Sequence, residues 1–124
     1  MDKLKFINNE MDAIAVPYQF GGWSGKTVYP YGVGEITEEA TLTEDGAEES
    51  TLMFTFWNRG SLIALENIKT TIKKRFHPIY GLRSDTDSGA IAVFFDTAFL
   101  VPSGEADIFK MQINLKIKEW KGDL

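Results

Sequence analysis

Phe109, Met111, Ile113, Leu115 and Ile117 alternate with Lys110, Gln112, Asn114, Lys116 and Lys118 near the end of the chain. Period-two alternation of this length predicts a β-strand over Asp107–Lys118 with one apolar and one wet face, the pattern of antiparallel sheet rather than of a parallel interior. A slip of one residue would turn all five apolar side chains to water, so the register is strongly specified. Near the other end, Leu4, Ile7, Met11 and Ile14 recur at spacings of three and four. They predict an amphipathic helix over Lys3–Ala15 that Pro17 stops.

Phe20–Lys26, with three glycines, reads as an irregular crossing, and from Thr27 the pattern is extended through Tyr29, Tyr31 and Val33. Pro30 denies a ladder donor and points to an edge strand or a bulge. Ser50–Trp57 is a strand rich in Thr, Phe and Leu that Asn58-Arg59-Gly60 breaks, and Ser61 is placed as the N-cap of a second helix. That helix carries Leu62, Leu65, Ile68, Ile72 and Phe76 as its apolar stripe and ends before Pro78. Gly81–Gly89 reads as a polar turn, Ala90–Val101 as a third strand, and Pro102-Ser103-Gly104 turns the chain back into the Asp107 strand. The expected order is helix, strand, strand, helix, strand, strand. Its fold class is α+β: a four-stranded, mainly antiparallel sheet with two helices packed on one face.

With 124 residues, 44% of them hydrophobic, the whole chain 1–124 fits a single domain with a real core. A net charge of −5 argues against nucleic acid as a partner, because phosphate binding needs clustered Lys and Arg. With no cysteine there are neither disulfides nor thiolate metal sites. No apolar stretch approaches the roughly 18 residues that span a bilayer, and the amino terminus lacks a leader pattern, so the expectation is a soluble, unprocessed chain without a membrane partner.

Chemistry-bearing patterns are sparse. Gly25-Lys26-Thr27 would need a glycine where Phe20 stands to make a phosphate loop. Asp85, Asp87 and Asp96 echo a calcium loop only faintly, since Gly89 supplies no side-chain oxygen and Ala90 stands where glycine is needed. The single histidine, His77, precedes Pro78 at a helix end with no serine or carboxylate partner evident in sequence, so a structural or exposed imidazole is expected rather than a base. Trp23, Trp57 and Trp120 are expected in the core, against the alternative of a stacking platform. Neither a catalytic residue nor a cofactor or metal site is predicted.

Two charge clusters remain. Glu38, Glu39, Glu44, Asp45, Glu48 and Glu49 surround the turn pair Asp45-Gly46 and predict an exposed acidic hairpin loop, while Lys73, Lys74 and Arg75 crowd the carboxyl end of the second helix, where the macrodipole favours cations. A charge run is usually a solvated face. Clusters of opposite sign in different elements would also suit an interface between neighbouring copies in a closed ring.

With the chain laid out, Val28-Tyr29-Pro30-Tyr31-Gly32-Val33-Gly34-Glu35 follows an amino-terminal helix, and a strand ending Phe56-Trp57-Asn58-Arg59-Gly60-Ser61 runs at once into an amphipathic helix. In these stretches and in the order of its elements the chain resembles the tail terminator, or tail-completion, proteins of long-tailed bacteriophages, carried on a prophage; its amino-terminal helix is short for that family. The resemblance implies a non-enzymatic virion assembly protein. Its subunits would form a ring, usually a hexamer, that docks on the last layer of tail-tube protein, stops its growth and offers a surface to the head–tail connector protein. It would be made in the bacterial cytoplasm and end in the tail or neck of the virion. The alternatives are another phage neck or minor tail component, a small host ligand-binding or immunity-type module, and an enzyme.

Overall fold

The computed structural model describes residues 2–16, 18–20, 29–42, 48–86 and 89–121. Along them run α1 (Asp2–Ala13), β1 (Tyr18–Phe20), β2 (Tyr31–Leu42), β3 (Glu48–Arg59), α2 (Ile63–Arg75), β4 (Leu82–Thr86), β5 (Gly89–Val101) and β6 (Ile108–Lys121). The strands form one curled, half-barrel sheet in the order β1-β2-β3-β6-β5-β4, antiparallel except where β1 runs parallel to β2.

This corrects the expected four-stranded sheet to six strands and its pairing to mixed. The two missed strands have physical reasons. β1 is three residues long, too short for a period to show, and β4 is the outermost strand, where Arg83, Ser84 and Asp85 need no alternation because little lies against them. The segment read as a polar turn therefore contains a strand paired with β5 from Leu82↔Val93 to Thr86↔Gly89.

The centre of the sheet is β3 against β6 in unbroken antiparallel register from Glu48↔Glu119 to Arg59↔Ile108. Leu52, Phe54 and Phe56 oppose Leu115, Ile113 and Met111, and all six are buried. Each such side chain contributes about 1.5–3 kcal/mol by leaving water. Ile7 and Met11 of α1 and Leu65, Ile72 and Phe76 at α2 belong to the same core cluster, so both helices lie over this one face. An ion pair of Arg75 with Glu10 ties α2 to α1 across the core's outer side.

The helix ends are set locally. The N–H of Val16 donates to the Met11 carbonyl and that of Ala15 to Asp12, the Schellman pattern, which puts Ala15 at φ 57. Tyr18 follows, its hydroxyl donating to Asn8 and its ring edge-on to Phe54 at 5.1 Å; burial first, and Asp12 second, push the phenol up to about 12. At α2 the first regular helical residue is Ile63, but Leu62 already has helical φ and ψ, and Ser61 Oγ accepts from the N–H of Ile63 at 3.2 Å, the bond an N-cap serine makes.

On β2, Gly32 pairs with Phe56 on the core side, and a Cβ there would lie 2.4 Å from the Phe56 ring. Glycine at that position lets the ring lie flat against the neighbouring backbone. Substitutions at Gly32 and Ala15 should therefore act in opposite directions. Gly32→Ala is expected to cost about 1–3 kcal/mol through overpacking, and Ala15→Gly to add about 0.5–1 kcal/mol by relieving left-handed backbone. Urea midpoints check both, and a Gly32→Ala midpoint at or above the parent would contradict the close approach.

Candidate functional site

β5 is longer than the strand that covers it. β4 pairs only with Gly89–Val93, and beyond that the side of β5 away from β6 meets, among the described residues, one backbone partner: the N–H of Phe95 donates to the Phe76 carbonyl at 2.8 Å. Phe95 thus turns its N–H away from β6, as it should in a non-hydrogen-bonded antiparallel pair with Leu115. A bulge at Asp96 shifts the register, so that Thr97, Phe99 and Val101 oppose Asn114, Gln112 and Lys110. The alternation of antiparallel bonding then directs the N–H and C=O groups of Ala98 and Leu100 to the open edge.

That edge is apolar. Phe99 is 47% exposed and Leu100 52%, and the turn from Phe76 that flanks its upper end presents Ile79 and Tyr80, 73% and 72% exposed. Gly81 in the same turn sits against the Phe94 ring, where a Cβ would come within 2.6 Å. At the lower end, Leu100, Pro102, Phe109 and Lys110 line an open cleft in the β5–β6 turn. Only Asp96 breaks the run of uncharged residues from Gly89 to Ser103.

The charge clusters lie on either side of the sheet. Lys73 is exposed, with its Nζ 5.5 Å from the centre of the Phe95 ring, so the basic helix end stands beside the open part of β5. Lys74 is exposed and has no ion-pair partner among the described residues. Arg75 is engaged by Glu10, its Nε donating to Oε2 at 2.7 Å, and serves the α1–α2 contact.

Among the acidic positions, Glu44 and Asp45 lie outside the described residues. The others are strand residues, which narrows the expected loop: Glu38 and Glu39 belong to β2, Glu48 opens β3 opposite Leu42, and Glu49 lies 3.8 Å from Lys118. The hairpin is long because cross-strand pairing continues from Glu38↔Ser50, through an irregularity, to Leu42↔Glu48. Within one subunit β3 and β6 separate β2 from β5, roughly 14 Å across three strand spacings.

The open face of the sheet carries a row that the pattern did not reveal. Tyr29 packs on Tyr31 at 5.5 Å, and Tyr31 stacks on Trp57 at 5.0 Å and 13°. Arg59 lies over Tyr29 at one end, 5.4 Å from the ring centre, and Lys110 over Trp57 at the other, at 5.6 Å. Arg59 also bonds Asp107 Oδ2 at 2.6 Å. The Tyr29 hydrogen bond and then Asp107 hold the guanidinium above its ordinary range, and burial, then Tyr29, raises the Tyr31 phenol. Trp57 and Trp120 are half-buried and outside the core cluster, which corrects their assignment to the core; Trp23 lies outside the described residues. Neighbouring Phe56 and Trp57 point to opposite faces, a fact that residue type alone does not disclose.

His77 is structural: its Nδ1 accepts from the N–H groups of Ile79 and Tyr80 at 3.1 and 3.2 Å, and its ring stacks on Tyr80. Among the described residues no group of His, Asp and Glu is placed to hold a metal ion. No helix of the described residues is long and apolar enough to cross a membrane. No protein-family profile matches the chain, and no curated protein matches it either.

The facing of β3 makes a direct test. Phe56→Ala should cost about 3–5 kcal/mol by emptying the core, whereas Trp57→Ala, which removes stacking on an open face, should cost about 1–2 kcal/mol. Urea unfolding of the two variants measures this, and equal losses would contradict the assigned faces.

Proposed function

We propose that this protein is a non-enzymatic assembly subunit, a tail terminator of a long-tailed phage whose copies form a ring that caps the tail tube and meets the head–tail connector. Its chemistry is contact: it positions partners and transforms nothing. The observation that carries the reading is the open stretch of β5, where backbone donors and acceptors and the exposed Phe99 and Leu100 share one edge. Single-chain proteins ordinarily blunt such an edge with lysines, proline or a covering element. Here the nearest proline, Pro102, stands after the strand has ended. The resemblance in the Val28–Glu35 and Phe56–Ser61 stretches gives the open edge its context.

Binding to a tube favours the assembled state by mass action, so the free subunit is expected to be monomeric at low concentration and to assemble on tubes. Negative-stain images of tail tubes incubated with excess protein test the proposal. Tube ends closed by a ring, with tube lengths fixed thereafter, are the expected result. Tubes that stay uncapped and keep growing would overturn it.

A further inference from the structure

We infer that neighbouring copies join by strand addition, the open part of β5 on one subunit pairing antiparallel with the open part of β2 on the next. This rests on the ring reading above and says what holds the ring together. The sheet has two long strands that are each covered over only part of their length. β1 pairs with β2 only at Gly32–Gly34, and no described residue pairs with the outer side of Glu35–Leu42. β4 leaves Asp96–Val101 of β5 open in the same way.

The two open stretches lie at diagonally opposite corners. β2 is open toward its carboxyl end, level with Ser50 and Lys118, and β5 toward its own, level with Trp57 and Lys110. Because the order β2-β3-β6-β5 alternates in direction, a second copy set beside β5 with the same face inward presents its β2 antiparallel to β5. Slid along the strand by about four residues, roughly 13 Å, its Glu35–Leu42 lies against Asp96–Val101. The neighbour's β1 then clears one end of the new pair and β4 the other, so the two short strands act as stops for the register. A stagger of this kind closes into a ring when the strands are inclined to its axis.

Closure favours this partner over a second β5. In that register Glu38 lies opposite Ala98 and Glu39 opposite Thr97, two to three residues along β5 from Phe95, beside which Lys73 stands. The acidic strand of one copy and the basic helix end of the next then lie along the same stretch of the contact. Self-pairing of β5 is instead isologous and stops at two copies, so it builds no ring. The contact is heterologous, so it extends head to tail until it closes.

The chain has no cysteine, so introduced thiols report without background. Thr37 on β2 and Thr97 on β5 are exposed, and cysteine at either tests the contact with little effect on folding. Rings assembled on tubes from the double variant Thr37→Cys/Thr97→Cys should give, with a short bismaleimide, a ladder of covalent oligomers up to the closed ring. Either single variant should give none. Covalent dimers from Thr97→Cys alone would overturn the inference in favour of β5 pairing with itself, and rings without a ladder would overturn it while leaving the terminator reading intact. Absence of any ring would overturn both. Independently, Lys73→Glu/Lys74→Glu should weaken ring assembly about tenfold, and adding Glu38→Lys/Glu39→Lys should restore it. Assembly unaffected by the first pair would remove the charge contact.

Discussion

The structure depends on the pairing of β3 with β6. Leu52, Phe54 and Phe56 meet Leu115, Ile113 and Met111 across one antiparallel ladder, and everything else is hung on that strip. β2 and β5 attach to its two sides, and α1 and α2 cover the apolar face it presents. The same ladder sends the alternate residues outward, which is why Trp57 and Lys110 meet on the open face and why the aromatic row from Tyr29 exists at all. Slipping the ladder by one residue would exchange those faces and leave Ile113 in water.

A consequence of this plan is that the edges are finished unevenly. β1 and β4 are short, so each caps only one corner of the sheet, and two corners are left uncovered by the described residues. An edge that exposes Phe99 and Leu100 beside peptide groups that no described residue pairs exposes the chain to aggregation unless a specific partner takes it up. The bulge at Asp96 contributes both ways: it re-aims the strand, and it places one charge in a run that otherwise has none.

The residues differ in how plainly they speak from sequence. Met111, Ile113, Leu115 and Ile117 disclose the buried face of β6, and Leu65, Ile72 and Phe76 that of α2, because a half-buried element imposes its own period. β4 is silent for the converse reason: an outermost strand with Arg83 and Asp85 exposed has little to alternate against, so the sheet was undercounted. Trp57 misleads because aromatic character does not say which face of a strand a residue takes. Of the charge clusters, only the positions were legible. That Arg75 is engaged by Glu10 while Lys73 stands beside Phe95 depends on where α1 and β5 come to rest, and the open edge itself is a property of pairing, visible only once the partner of each strand is known.

Ala98 and Leu100 offer peptide groups that no described residue of the lone subunit uses. Amide hydrogen exchange measures this directly. In the monomer their amides should exchange at least about a hundredfold faster than those of Met111 and Ile113 in the central ladder, and they should become protected when the ring assembles. Amides of Ala98 and Leu100 already as slow in the monomer as those of β6, or unchanged on assembly, would contradict the account.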